Sequence, residues 1–505
     1  MKYTEQIKKS WEENPLLIII SLAVLFRVLA AIFSKGFGMH DDHFQVIEIA
    51  QGWLDGKNIW FDTPDTHHRS LVYPGLHYIV FSILESLGIT DPQIKMTFVR
   101  FIHAFYSMLI VIFGYMITKQ ISDHETASKV GLVLALFWIL PFMSVRNLVE
   151  VVCIPPIMIA FYFTLKEENA KNWYISGLFF GLSFVLRYQI FIIIGGVIIV
   201  LIVLKKFRIL AIFTAGLLTS ILLVEGLVNL IVWGSPFSPI INYITYNIRA
   251  RYGYVTGPWY SYLLLLLGVL IPPASIFMLY GFLRSWKKWT ILFWPTFLFL
   301  IFHSYFPNKQ ERFILPVLPL LIILGFAGFE EYVKKSRFWQ TKDRLLKGCW
   351  LWFWVINIIL LIVVTFTYSK KNRIETLYYL SSKKDIEGII WESHHKATPF
   401  IPVFYLNQDI PFYKYPQSRS IDDIKEEIIS SGNTFPNYII FLGEKGIDNR
   451  VQGFEKEFSA SLTLERQIYP SFIDAVLYRL NPSKNVNQLS YIYKLRRAGV
   501  TDSCQ

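Results

Sequence analysis

An α-helical polytopic membrane protein with a small C-terminal α/β extracytoplasmic domain is the fold class this sequence predicts, on three observations. Of 505 residues, 53% are hydrophobic, and the mean hydropathy is +0.41, values that belong to membrane chains. The apolar residues gather into about eleven runs, most of them near the twenty residues that cross a bilayer. Beyond residue 367 those runs shorten, and strand-like and helix-like pieces alternate.

The predicted spans are 15–33, 97–118, 129–143, 148–165, 173–189, 190–204, 209–233, 260–283, 289–304, 312–330 and 349–367. The first follows MKYTEQIKKSWEEN and lacks a small-residue cleavage site, so it is expected to stay as an anchor. The stretch Tyr73–Leu87 is apolar but opens with Pro74-Gly75 and carries His77 and Glu85, which predicts a helix lying in the interface. Residues 1–367 form the expected transmembrane catalytic domain, with a first extracytoplasmic loop at 34–96. Residues 368–505 form the outer domain, in which Phe400–Leu406 and Tyr438–Leu442 read as strands and Ile421–Ser430 as a helix.

Charge orients the threading. With the N-terminus in the cytoplasm, the inside loops hold Lys8/Lys9, Lys119/Lys129, Lys166/Lys171, Lys205/Lys206/Arg208, Arg284/Lys287/Lys288 and the group from Lys334 to Lys347. The outside loops are poorer in Lys and Arg, as the positive-inside rule requires. A net charge of +12 therefore reads as an orientation signal and an attraction to anionic membrane lipids, not as a nucleic-acid footprint. The three cysteines, Cys153, Cys349 and Cys504, imply no disulfide framework.

The unusual polar strings fall on the outer face. Asp41 and Asp42 stand in GFGMHDDHFQ, just after the first span. Asp41 suits a general base toward a hydroxyl, with Asp42 or His43 orienting it. The plainer alternatives are a divalent-cation site at Asp41 and Asp42, or carboxylates capping a helix that begins near Phe44. Arg27, inside the first span, is either functional or paired with an acid such as Glu225.

Four more outer clusters follow: Arg146-Asn147 with Glu150, Arg187-Tyr188-Gln189, the long loop Gly234–Trp259, and FPNKQERF with Lys309, Glu311 and Arg312. Singly, each is interfacial snorkelling. Together, cations around an acid pair suit a phosphate, and a phosphate with an apolar tail at a bilayer is a polyprenyl-phosphate lipid. His67-His68 and His394-His395 are adjacent pairs without the spacing of zinc ligands, and no other cofactor is indicated.

These strings resemble the GT-C superfamily of membrane glycosyltransferases, in particular the lipid-linked mannosyltransferases of glycosyltransferase family 22. That family carries H-P-D-E-x-F-Q after its first span, and Met39–Gln45 lies over it, with Asp41 at the catalytic acid and Asp42 at the Glu. Its H-K-E-x-R-F string is matched by Asn308–Phe313, keeping Lys309, Arg312 and Phe313. Its Y-G-x-x-P-W string appears as Tyr252-Gly253 and then Gly257-Pro258-Trp259. The resemblance spans roughly residues 16–330.

It implies an inverting transfer of a hexose, mannose by family, from a polyprenyl-phosphate-sugar donor to a hydroxyl of a glycan or lipid-linked acceptor. Asp41 and Asp42 are the implied catalytic pair. Lys309, Arg312, Arg187 and Arg146 are the implied donor-phosphate ligands, and His43, Gln45, Arg69, Tyr73, Gln189, Tyr252, Trp259 and Glu311 the substrate contacts. The alternatives are another GT-C transferase acting on lipid A, protein or cell-wall glycan, and a lipid-linked sugar flippase. No internal symmetry of the transporter kind is visible. The Ile/Lys-rich composition and the absence of Asn-x-Ser/Thr sequons point to a bacterial inner membrane with a periplasmic site. An endoplasmic-reticulum membrane with a lumenal site threads identically.

Overall fold

A computed structural model describes residue 11 and residues 13–38, 40–57, 69–393, 401–482 and 485–497. His67-His68 and His394-His395 lie outside the described residues. The chain divides into two compact units, one of Met1–Ile32, Ile49–Ile83 and Phe98–Phe366, the other of Phe33–Glu48, Leu84–Thr97 and Thr367–Gln505.

The first unit is helical, and each predicted span coincides with helix. Among the described residues, Pro15–Phe33, Pro92–Ile121, Phe207–Trp233, Glu311–Lys335 and Asp343–Thr365 are long and apolar enough to cross a membrane. Val149–Thr164, Tyr188–Val203, Ala274–Arg284 and Thr290–Tyr305 are shorter apolar helices. The most apolar stretch of Glu311–Lys335 is 94% buried, against 22% for Phe207–Trp233 and for Asp343–Thr365. One helix is therefore the unit's axis, and the other two present most of their surface outward.

Several spans are broken. Span 260–283 becomes Ser261–Val269 and Ala274–Arg284, separated at Pro272-Pro273, where two successive residues lack the N–H a helix needs. Phe207–Trp233 contains a π-helical turn, Ile221–Gly226, which carries Glu225. Ala274–Arg284 and Leu318–Lys335 cross at Gly281, Gly325 and Gly328. A Cβ on Gly281 would collide with the carbonyl of Gly325, so the crossing depends on small residues. Val72–Ser86 is helical with Leu76, Ile79 and Ile83 exposed along one side, the pattern of the expected interface helix.

Arg27 does not pair with Glu225. Its guanidinium donates to Ser107 Oγ at 2.9 Å, Ala135 O at 3.1 Å and Leu134 O at 3.3 Å. The last two carbonyls lie at the C-terminal end of helix His124–Leu136, where backbone acceptors lack helical partners. The buried cation satisfies them and meets the negative end of the helix dipole. Glu225 instead accepts from Tyr188 Oη, from Ser70 Oγ at 2.7 Å and from Asn229 Nδ2 at 2.9 Å.

The second unit is built on a five-stranded mixed sheet of order β2-β1-β3-β5-β4, with β1 Ile389–Ser393, β2 Phe412–Pro416, β3 Tyr438–Leu442, β4 Ala460–Ile468 and β5 Ser490–Arg497. Strands β1, β2 and β3 run parallel, and β5 is antiparallel to both β3 and β4. β1 and β3 are buried along their whole length, as central strands covered on both faces must be. Helix Ile421–Ser430 starts at a capping box of Ser420 and Asp423 and packs Ile424 and Ile428 against the sheet.

Of the strand expected at Phe400–Leu406, the described residues 401–406 form no strand. Val403–Tyr405 is a 3-10 turn, because Pro402 supplies no N–H to a ladder.

Helix His40–Leu54 begins in this unit and carries Asp41 and Asp42 in its first turn. Positions 41 and 42 thus lie within the helix rather than before one starting near Phe44. The chain leading into the helix is held by Thr367–Lys370: Ser369 N donates to Lys35 O at 3.1 Å, and Lys370 Nζ to Gly38 O at 2.9 Å. Lys370 also lies over the Phe37 ring, 4.1 Å from its centroid. Two turns on from Asp41, Glu48 accepts from Phe404 N at 3.3 Å. Burial raises the Glu48 carboxyl to about 7 against the pull of the Phe404 and Val403 amides and of Lys414.

Candidate active site

In the helical unit, the charged strings separated in sequence meet on one carboxylate. Glu150 lies in the first turn of helix Val149–Val152 and is 0% exposed. Its Oε1 is 3.1 Å from Arg187 Nη2 and 3.1 Å from Arg312 Nε, and both arginine side chains keep 12% exposure. A buried anion bridging two cations fixes their geometry.

Local structure explains how the arginines reach it. Helix Ala170–Leu186 ends at Arg187, whose backbone is extended at φ −150° and ψ 104° before the 3-10 turn Tyr188–Ile190. Arg312 stands in a second 3-10 segment, Glu311–Val317, where Pro316 removes an N–H. Tight helical turns of this kind re-aim side chains at functional positions.

Around this centre, Arg187 donates to Gln189 Oε1 at 2.9 Å, and His303 Nε2 lies 3.3 Å from the same oxygen. Tyr243 hydrogen-bonds Gln189, stacks edge-on against Tyr188 at 5.3 Å, and feels the charges of Arg187, Glu150 and Arg69. Tyr73 is buried, its hydroxyl 2.8 Å from His103 Nε2, and feels the charge of Glu150. His77 packs against it and faces Asn147; burial pushes its imidazole down to about 4, so the ring is neutral. Arg146 is buried, with its guanidinium 4.4 Å from the Phe142 ring centroid.

Lys309 is placed differently from a free phosphate ligand. Its ammonium donates to His303 O at 2.7 Å, Ser304 O at 2.8 Å and Phe306 O, the carbonyls closing helix Thr290–Tyr305. Three donors meet three acceptors. Desolvation also lowers the Lys309 pKa below that of an ordinary lysine.

The string around Lys309 pairs with the one around Trp259. Thr256 and Asn308 form an antiparallel bridge, Lys309 N donates to Val255 O at 2.8 Å, and Tyr262 Oη donates to Gln310 O at 3.0 Å.

The structure thus brings together Arg187, Arg312, Gln189, Arg69 and Tyr73. Tyr252 is 68% and Trp259 56% exposed, and Glu311 is exposed as well. His43 is buried with its ring among Phe37 and Phe44 in the sheet-containing unit, and Gln45 is half-buried beside it. Tyr243 and His303 were not singled out from the sequence. Tyr243 carried one signal, a tyrosine opposite an isoleucine stripe at helical spacing. His303 carried none.

The fold recurs in solved structures. ArnT from Cupriavidus metallidurans, bound to undecaprenyl phosphate, is similar with a TM-score of 0.65 at 12% identity, covering 96% of this chain and 99% of that one. The oligosaccharyltransferase AglB from Archaeoglobus fulgidus, in complex with an inhibitory peptide and a dolichol-phosphate, is similar with a TM-score of 0.50 at 12% identity, covering 86% and 70%.

The fold is therefore the GT-C fold. The model of the Alg9-like mannosyltransferase family matches residues 18–418, and the chain belongs to that family. Among its relatives is GPI mannosyltransferase 3 of Yarrowia lipolytica, 21% identical over 424 residues that cover 82% of this chain and 79% of the relative. Human GPI alpha-1,2-mannosyltransferase 3 is 22% identical over 331 residues, covering 63% and 57%.

Proposed function

We propose that the protein transfers mannose from a polyprenyl-phosphate donor to a hydroxyl of a glycan or lipid-linked acceptor, with inversion at the anomeric carbon. The observation carrying this reading is the pair Arg187 and Arg312 held on Glu150. Two guanidinium groups brought together and oriented on one buried carboxylate are the side chains best suited to recognise a phosphate. The relatives named as GPI mannosyltransferases support the sugar and a lipid-linked glycan acceptor. The polyprenyl phosphates bound to ArnT and AglB support the donor class.

In this mechanism the acceptor hydroxyl attacks the anomeric carbon, and Asp41 takes its proton as the carbon–oxygen bond forms. Asp42 orients Asp41 or the acceptor. The leaving group is a lipid phosphate, stable as an anion, so no general acid is needed. Arg187 and Arg312 neutralise it as its charge develops, an effect worth several kcal/mol (roughly 3) in a partly dry site. Arg146 and the capped ammonium of Lys309 add positive field, and Arg69, Tyr73, Gln189 and Tyr243 line the sugar. The reaction takes place at the non-cytosolic leaflet, the side to which the charge pattern assigns Asp41 and the arginine strings.

The test is incubation of purified full-length protein with radiolabelled polyprenyl-phosphate mannose and lipid-linked glycan acceptors, with and without chelator. Mannosylated acceptor of inverted configuration is the expected product. Mannose transfer that survives in the Asp41→Asn variant removes Asp41 from the base role. Failure of the wild type with every mannosyl donor, against turnover of another lipid-linked sugar, overturns the sugar assignment.

A further inference from the structure

The segment Ser238–Arg249, read from sequence as part of a loop, is a twelve-residue helix with two unlike sides. Ile241, Ile244 and Ile248 recur at i, i+3 and i+7 and form one stripe, exposed at 62%, 52% and 57%. From the opposite side project Pro239, Tyr243 and Tyr246, with Tyr243 on Gln189 and Tyr188 as described above. Three isoleucines half or more exposed along one line are an unpartnered apolar face.

What covers that face follows from its neighbours. Four residues separate the helix from the outward-facing span Phe207–Trp233, whose final turns expose Leu227, Leu230 and Ile231. The helix is followed by exposed Tyr252, Trp259 and Tyr260, and then by the apolar helix Ser261–Val269. The apolar stripe thus continues a lipid-facing surface and ends in aromatic residues of the kind that gather at headgroup depth. Arg249 and Arg251 follow the stripe at the helix end, positioned for lipid phosphates. All backbone groups in mid-helix are paired internally, as immersion requires.

We infer that Ser238–Arg249 lies in the interface of the non-cytosolic leaflet, with Ile241, Ile244 and Ile248 in the acyl boundary and Tyr243 turned to the arginine site. The helix is then a wall between lipid and the charged centre, on the side from which a membrane-dissolved substrate arrives. Tyr252 and Trp259, rather than touching sugar, anchor the wall at headgroup depth. The inference concerns placement in the membrane and stands whether or not the mannosyl-transfer reading holds.

The experiment uses the full chain in phosphatidylcholine nanodiscs, with Cys349 and Cys504 replaced by serine and the buried Cys153 retained. Single cysteines at positions 241, 242, 244 and 248 carry an environment-sensitive fluorophore. Nitroxide on the lipid acyl chain should quench positions 241, 244 and 248 at least twofold more than 242, and aqueous iodide should show the reverse order. Iodide quenching of all four without an acyl-chain effect overturns the placement. Shielding from both quenchers together with a dimer in solution assigns the stripe to a second copy and also overturns it. Because the readout is optical, inactivity of a labelled variant does not affect the result.

Discussion

Glu150 and Arg312 are joined through Oε1 and Nε at 3.1 Å, with the carboxylate excluded from solvent. Because Arg187 shares the same oxygen, removing this one negative charge leaves two cations facing each other in a site of low polarizability. Glu150→Gln keeps shape and volume, so the loss isolates charge. The expected result is a ten- to hundredfold fall in kcat/KM for the lipid donor, about 1.4–2.8 kcal/mol. Glu150→Asp, which keeps the anion, should recover part of it. Steady-state transfer assays on the three proteins decide, and unchanged kcat/KM in the Gln variant would show that the bridge is dispensable.

Arg312→Lys separates charge from shape. A lysine keeps one positive charge but loses the planar fork that can face Glu150 and a phosphate together. The expected outcome is a roughly tenfold rise in donor KM with acceptor KM unchanged. Equal rises in both constants would place Arg312 in general architecture rather than at the donor.

Asp41→Asn addresses the proton. A carboxamide of the same size cannot accept it, so transfer should fall by 10²–10⁴-fold, the usual worth of a positioned base. Donor binding, measured by equilibrium binding of a non-transferable polyprenyl-phosphate sugar, should stay within about threefold of wild type, since the proposal gives the phosphate to Arg187 and Arg312. Loss of donor binding together with turnover would mean that Asp41 holds the donor instead.

The eleven apolar runs were legible because hydropathy sums over some twenty residues and tolerates local irregularity. The breaks within them were less so: Pro272-Pro273 is visible in the sequence, whereas the π turn carrying Glu225 has no sequence mark. The partner of Arg27 was misjudged because charge pairs are sought among side chains, while the acceptors here are the terminal carbonyls of His124–Leu136. Lys309 repeats the lesson at the end of Thr290–Tyr305. Among the site residues, Arg187, Gln189 and Arg312 stood out as polar residues in apolar surroundings. Tyr243 did not, because in an aromatic-rich loop one tyrosine resembles the next.

Arg27 therefore belongs to stability. Arg27→Ala opens a cavity and strands two helix-terminal carbonyls, a loss of about 3 kcal/mol. The expected sign is a lower unfolding temperature in detergent by several degrees, with kcat per folded molecule within twofold of wild type. Arg27→Met fills more of the volume and should fall between. A variant that melts like wild type but turns over a hundredfold more slowly would return Arg27 to the chemistry.

Glu48 gives the sheet-containing unit a pH dependence of definite sign. Its carboxyl sits at about 7 in the folded protein, above the ordinary value of 4.5, chiefly because burial disfavours the anion. A raised value means that the folded state binds the proton more tightly than the unfolded state. The associated stability is fully present below about pH 4.5 and is lost as pH rises through 7. Some solvent still reaches the side chain, so the swing is about 2 kcal/mol rather than the full value of the shift. Glu48→Gln carries no titrating proton and should remove this component. The difference in Tm between wild type and variant should therefore change steadily from pH 4.5 to 7 and level off above. Glu392 on β1, also raised to about 7 by burial against the pull of Arg450, titrates in the same window and cancels in that difference. A difference curve flat across the window would show that Glu48 is ionised throughout and that the Phe404 amide, not burial, sets its charge.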